Sequence, residues 1–104
     1  MALQHLSPTL DNAYDVFVLD QKAQGHTPRT QDFYRWTLRP FIDWLTGADV
    51  ARLAEVTPTH IRTYLVSLRE RSLSGFTVHG AARSIRAFFQ FLYSRRVHRG
   101  VADG

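Results

Sequence analysis

The sequence predicts an all-α domain built as a four-helix bundle. Apolar residues recur at helical spacing along four stretches, a Ser-Pro or Thr-Pro pair opens three of them, and no stretch shows the alternating pattern of a strand. Each stretch is apolar on one face only, so the four helices must share one core. With 104 residues and 44% hydrophobic content, the chain is long enough to form that core as a single domain.

The first helix is predicted from Ser7-Pro8 to about Gln24. The Ser7 hydroxyl is suited to cap the helix, Pro8 suits its first turn, and Gly25 supplies a left-handed end. The buried line is predicted at Leu10, Tyr14, Phe17 and Gln21, and the exposed face at Asp11, Asp15 and Asp20. An acidic face is a poor surface for an anion, so this helix is interpreted as structural.

The second helix is predicted from Thr27-Pro28 to about Gly47. Pro40 lies inside it, where a proline removes one amide donor and crowds the carbonyl of Trp36 at a cost of about 3 kcal/mol. We predict a kink at this point, and not two separate helices. The apolar line is predicted at Tyr34, Leu38, Phe41 and Leu45, with both tryptophans, Trp36 and Trp44, placed in the core.

A loop with one short turn is predicted over residues 48–56, followed by a third helix. That helix starts at Thr57-Pro58 and ends near Arg71 or Ser72. Its buried side is predicted at Ile61, Tyr64, Leu65 and Leu68. Neither segment contains a pattern that points to chemistry.

The fourth helix is predicted from its cap at Ser74 to Arg96, and it has the clearest functional signal. Its apolar face is predicted at Val78, Ala81, Ala82, Ile85, Phe88, Phe89 and Leu92, and its polar line at His79, Arg83, Arg86 and Gln90. No acidic residue occurs between Glu70 and Asp103, so this line is a basic face without compensation. By spacing alone, it fits a solvated surface or a polyanion-binding surface equally well.

Composition favours a polyanion partner and excludes several other classes of function. The net charge is +4, and twelve of the thirteen basic residues are arginine, whose planar fork fits phosphate oxygens and base edges. No apolar run approaches the roughly 20 residues needed to cross a bilayer, so no membrane partner is expected. The start of the chain lacks a leader pattern and the chain lacks cysteine, which favours a cytoplasmic location.

No catalytic, metal or cofactor site is expected. The five histidines are scattered, and none is at metal-ligand spacing from another. The frame from Gly75 to Gly80 is followed by Ala81-Ala82, where a phosphate loop needs Lys and Ser or Thr. His26 and Arg29 spell HxxR at a helix start, which we interpret as accidental.

Two segments resemble one known family: GHTPRTQDFYRWTLRPFIDWL, and VTPTHIRTYLVSLRERSLSGFTVHGAARSIRAFFQFLYSRR. They resemble the N-terminal core-binding, or SAM-like, domain of tyrosine recombinases and phage integrases, over roughly residues 7–97. The residues that carry the resemblance are Thr30, Tyr34, Leu38 and Phe41 in the second helix, and Ser74, Thr77, Val78, Ile85, Arg86, Phe88 and Phe89 in the fourth. Residues 1–6 are expected to be a flexible N-terminus, and residues 98–104 a tail or linker toward an absent catalytic domain.

The resemblance implies a DNA-binding module that is not catalytic by itself. In that family this domain and a separate C-terminal catalytic domain clamp double-stranded DNA, and the second and fourth helices face the DNA. The implied partners are DNA, the catalytic domain of the same parent chain and other recombinase protomers. The contact candidates are Thr27, Arg29, Thr30, Arg35, Thr77, His79, Arg83 and Arg86, with Gly80 in the middle of the contact edge.

One alternative stays open at this point. A helical protein-interaction or dimerisation domain would dock a partner through exposed aromatic residues, for which Phe91 and Tyr93 are the candidates. That function predicts association that depends on protein concentration and tolerates salt.

Overall fold

The computed structural model describes residues 8–71 and 74–103, with side chains described up to residue 94. The elements in these ranges are α1 (Leu10–Ala23), α2 (Pro28–Thr37), α3 (Arg39–Gly47), a short 3-10 helix (Leu53–Glu55), α4 (Pro58–Glu70) and α5 (Gly75–Asp103). The described residues form no strand beyond one isolated bridge, so the all-α prediction is confirmed. The predicted flexible N-terminus, residues 1–6, lies outside the described residues.

Helix α1 begins later than predicted. The hydroxyl of Thr9 caps it by accepting the amide three residues on at 3.1 Å, so the first helical residue is Leu10. The predicted start at Pro8 is wrong, and the predicted cap, Ser7, lies outside the described residues. The reason is tertiary: the Leu10 amide donates to the carbonyl of Ala51 at 2.9 Å, so this segment pairs with the loop before α4.

The predicted end of α1 is confirmed. Gln24 is the C-cap, and Gly25 has a φ of 78°, the left-handed conformation that glycine adopts without a steric penalty. The amide of His26 donates back to the carbonyl of Gln21 at 3.1 Å, which completes a Schellman-type end.

The predicted second helix is divided in two, so the prediction of a single kinked helix is wrong. Helix α2 ends at Thr37 and α3 starts at Arg39, with Leu38 as a one-residue junction. Pro40 has no amide to donate to the carbonyl of Trp36, and its ring crowds that carbonyl. The break stays local because the Leu38 amide still donates to the carbonyl four residues earlier at 2.8 Å.

The short turn predicted in the loop is the 3-10 helix, and the start of α4 also follows the sequence pattern. The Thr57 hydroxyl accepts the amide of His60 at 3.3 Å, and the His60 Nδ1 accepts the Thr57 amide at 3.0 Å. This reciprocal arrangement satisfies two amides that the first turn leaves open. The helix ends at Glu70 with Arg71 as its cap, as predicted.

Helix α5 starts as predicted but extends further. The Ser74 hydroxyl accepts the amide of Thr77 at 3.2 Å. The helical backbone continues to Asp103, so the predicted end at Arg96 is wrong. No proline follows Gly75 to interrupt it.

The core lies where α1, α3, α4 and α5 meet. Phe17, Phe41 and Phe88 are its largest fully buried side chains, one from each of α1, α3 and α5. Phe17 meets Phe88 edge to face at 5.5 Å and Tyr34 at 5.0 Å, so α1 joins α2 to α5. None of the described helices is both long enough and apolar enough to span a membrane.

Candidate nucleic-acid interface

Helices α2 and α5 lie antiparallel and form a seam, defined here by Phe33, Thr37, Gly80 and Arg83. A Cβ added at Gly80 would lie 3.5 Å from Thr37 Cγ2 and 3.6 Å from Phe33 Cε1. Further along α5, the guanidinium carbon of Arg83 lies 5.1 Å from the centre of the Phe33 ring. Because the later residue of α5 faces the earlier residue of α2, the two helices run in opposite directions.

Arg83 is the best-placed cation on this seam. Its side chain is exposed, and the Phe33 ring holds its guanidinium by a cation–π contact. Among the described residues no carboxylate pairs with Arg83. The arginine is therefore oriented by packing, while its charge remains available to an anion from solvent.

Arg39 shows the opposite arrangement and provides a comparison within the same molecule. Its guanidinium donates to Asp11 at 2.9 Å, and it lies 3.0 Å from Asp43. Burial alone would lower the pKa of Arg39, but the hydrogen bond with Asp11 and the field of Asp43 raise it. This arginine ties α1 to α3, and its charge is already compensated.

Arg35 lies two residues from both Phe33 and Thr37, about 200° around α2 from the seam. It pairs with Asp32 at 3.5 Å. Burial raises the pKa of Tyr14 on α1, and the charges of Arg39 and Arg35 partly offset that rise. Since Arg35 lies on the side of α2 opposite Phe33 and Thr37, the structure does not bring it together with Arg83.

The threonine candidates lie at opposite ends of the seam. Thr27 caps α2 by accepting the amide of Thr30 at 3.2 Å, and the two hydroxyls are 3.2 Å apart. Thr77 lies at the start of α5, beside Trp36. Because the helices are antiparallel, the two N-termini do not meet, although the sequence placed them in one contact set. Arg29 is exposed in the first turn of α2.

The remaining candidates follow the outer face of α5. His79 is exposed one turn before Arg83. Arg86 is exposed and lines a groove on the other flank of the helix, the side that faces α4. The residues of the predicted polar line are thus exposed, but Arg83 lies on the α2 flank of α5 and Arg86 on the α4 flank.

The groove between α4 and α5, called the α4–α5 groove below, has a volume of about 730 Å³. Apolar side chains dominate its wall, and Tyr93, with 70% of its surface exposed, stands at one end. Phe91, the other predicted exposed aromatic, is half-buried and packs 5.4 Å from Phe17. The lining comprises Ile61, Leu65, Ala82, Ile85, Arg86, Phe89, Gln90, Tyr93 and Ser94.

Trp36 was predicted in the core, and this prediction is wrong. The side chain is 70% exposed and lines a shallow cavity of about 180 Å³ with Thr37, Pro40 and Thr77. The signal was present in the spacing: Trp36 is two residues from Tyr34, which puts it about 200° away from the apolar line. Phe76, which the pattern did not single out, is 87% exposed.

Among the described residues, no group of three or more His, Asp or Glu side chains could hold a metal ion. The arrangement offers cations, hydroxyls and exposed aromatic rings, which are the groups that contact phosphates, sugars and bases.

Comparison with known proteins identifies the family. The model of the phage integrase N-terminal SAM-like domain matches residues 14–99, most of the chain. The chain therefore belongs to the family of phage integrase N-terminal SAM-like domains, as the resemblance predicted, and the all-α fold agrees with that family.

Two curated relatives carry the name tyrosine recombinase XerC. The protein from Oceanobacillus iheyensis is 35% identical over 72 residues, which cover 69% of this chain and 24% of the relative. The protein from Halalkalibacterium halodurans is 31% identical over 83 residues, covering 79% of this chain and 27% of the relative. The matched part spans about a quarter of each relative's length. No solved structure matches the chain significantly.

Proposed function

We propose that this chain is the DNA-binding module of a site-specific tyrosine recombinase and that its α2–α5 seam faces duplex DNA. The observation that carries the proposal is Arg83, an exposed arginine held by the Phe33 ring and not paired with any carboxylate in the described residues. Support also comes from the family and from the name tyrosine recombinase XerC, which both relatives carry.

The chemistry of the seam fits a phosphate backbone. An arginine donates two parallel hydrogen bonds to a phosphate, and each neutralised phosphate releases counterions, which favours binding at low salt. Arg83 and His79 would contact the backbone from α5, and Arg29 from the first turn of α2. The other members of the proposed contact set are Thr27, Thr30, Arg35, Thr77 and Arg86.

Strand cleavage is assigned in this proposal to a separate catalytic domain of the parent protein. The chain would then position that domain on its site by closing the other half of a clamp around the DNA. Further partners would be other recombinase protomers on the same DNA, and the location would be cytoplasmic.

The proposal is tested by titrating the 104-residue chain with a duplex at low salt and following amide chemical shifts by NMR. Shifts are expected to cluster on α2 and α5, and the affinity should fall as salt rises. The matched control is Arg69→Ala, which removes an exposed arginine on α4 and should leave the affinity unchanged. Shifts confined to α1, or binding that ignores salt, would contradict the proposal.

A second candidate function is protein interaction, and the α4–α5 groove favours it. A partner helix would bury its apolar side against the groove, with Tyr93 as an aromatic anchor. Sedimentation at increasing protein concentration tests this function, since Tyr93→Asp should abolish any association. A monomer at all concentrations would count against association between copies of this chain.

A further inference from the structure

We propose that the cavity beside Trp36 receives one unstacked nucleobase of the bound DNA, so that the module prefers DNA with an unpaired base. This inference rests on the proposed function and extends it to a class of DNA substrate. The cavity lies where α2 gives way to α3, against α4 and the start of α5, and its volume is about 180 Å³.

The exposure of Trp36 is the first step of the argument. An indole with 70% of its surface in water has lost the burial that normally places tryptophan inside a protein. The side chain lines the cavity instead of packing into the core. A flat aromatic surface in this position suits stacking on a base, which tolerates any sequence because every base has a π-face.

The walls of the cavity match the two parts of a base. Leu68 and Ala81 are buried apolar side chains that suit the flat face of a ring. Arg71 and Thr77 bring hydrogen-bonding groups to the same cavity, which suits the polar edge of a base. Tyr64 also lines the cavity, close to Arg71. Burial raises the pKa of the Tyr64 hydroxyl, and the charge of Arg71 partly offsets that rise.

The cavity is continuous with the α2–α5 seam. Thr37 belongs to both, since its methyl group faces Gly80 and its side chain also lines the cavity. Thr77 precedes Arg83 by six residues, a rise of about 9 Å along the helix. That distance is close to three nucleotides at about 3.4 Å each, so a strand held by Arg83 would pass the cavity within a few nucleotides.

An intact duplex would fill this cavity poorly. Its bases are stacked, and extruding one costs a few kcal/mol, with the smallest cost for a mismatched or unpaired base. Trp36 would therefore contribute little to binding of a regular duplex and more to binding of DNA with a free base. Arg83, which contacts the backbone, would contribute to both.

The test compares three variants of the 104-residue chain on two DNA molecules of the same sequence, one fully paired and one with a single unpaired adenine. Fluorescence anisotropy gives the Kd of each protein for each DNA molecule. The unmodified chain should bind the bulged duplex about tenfold more tightly, within the range measured for stacking on one aromatic side chain. Trp36→Leu should remove that preference, Trp36→Phe should retain most of it, and Arg83→Ala should weaken both DNA molecules by a similar factor.

The outcomes separate this inference from the proposed function. If neither DNA binds with salt-dependent affinity, the proposed function fails. If both bind equally, or if Trp36→Leu leaves the preference for the bulge intact, DNA binding stands and the base-binding cavity is refuted. Circular dichroism of Trp36→Leu checks the fold, which should persist because the side chain is exposed.

Discussion

The two flanks of α5 differ in how they pack: one lies directly against α2, and the other lines an open groove beside α4. On the α2 flank, Gly80 contributes no side chain, so α2 packs directly against the α5 backbone with Phe33 and Thr37 in contact range. On the α4 flank, Ile85 and Phe89 line a surface groove that remains open. The first flank is a closed seam with a cation above it, and the second is an apolar surface.

The difference shows why a helical wheel gives an incomplete account of a basic stripe. Arg83 and Arg86 are three residues apart and fall on the same side of the wheel. The neighbouring helices separate them, because Arg83 lies over a ring of α2 and Arg86 lines the groove facing α4. Two arginines that are equivalent in sequence thus have different roles available to them.

The largest predicted effect comes from Phe88, a core residue of α5. It is fully buried, 5.5 Å from Phe17 and 5.2 Å from Phe89. Phe88→Ala should lower the free energy of unfolding by about 3–5 kcal/mol, a large part of the total of about 5–15 kcal/mol usual for a domain. Urea denaturation followed by circular dichroism measures this change.

The control for that experiment is Phe76→Ala on the same helix. Phe76 is 87% exposed, so its removal should change stability by less than about 0.5 kcal/mol. The seam and the groove should unfold in one transition in both variants. A loss of stability in Phe88→Ala no larger than that in Phe76→Ala would contradict the prediction.

The second prediction compares Arg83→Ala with Arg86→Ala in DNA binding. Arg83→Ala should weaken binding to a paired duplex about tenfold. It should also reduce the slope of log affinity against log salt concentration by about 1, the expected loss for one phosphate contact. Arg86→Ala should have a smaller effect on both, because Arg86 lies on the groove flank. Affinity measured over a salt series separates the two, and the reverse order would place the DNA on the α4 flank.

Much of the fold could be predicted because local signals and tertiary packing agree. Thr27, Thr57 and Ser74 all cap the helices that the sequence assigned to them. The same pattern at Ser7-Pro8 failed, since residues 8–10 pair with a loop some forty positions away. A cap pattern is local information, and a contact between distant segments can override it.

Less of the candidate site could be predicted. The charge pattern pointed to Arg83, but its contact with Phe33 depends on how α2 packs against α5, which no spacing reveals. Trp36 was assigned to the core because tryptophan is usually buried, although its position two residues from Tyr34 favoured the opposite side. The error came from weighing residue type above helical position.

The smallest predicted effect concerns Gly80, the contact point of the closed flank. Gly80→Ala should raise the free energy of unfolding by about 0.4–1 kcal/mol, because alanine restricts the unfolded chain and favours the helix. The added Cβ would meet its neighbours at 3.5 and 3.6 Å, an ordinary contact distance. Thermal unfolding followed by circular dichroism measures the gain.

The matched control is Gly25→Ala, the same substitution in another backbone conformation. Gly25 has open space around it but a φ of 78°, so alanine there should lower the stability through backbone strain alone. If Gly80→Ala also lowers the stability, then α2 and α5 have no room for a methyl group. The closed seam would then depend on glycine at this point.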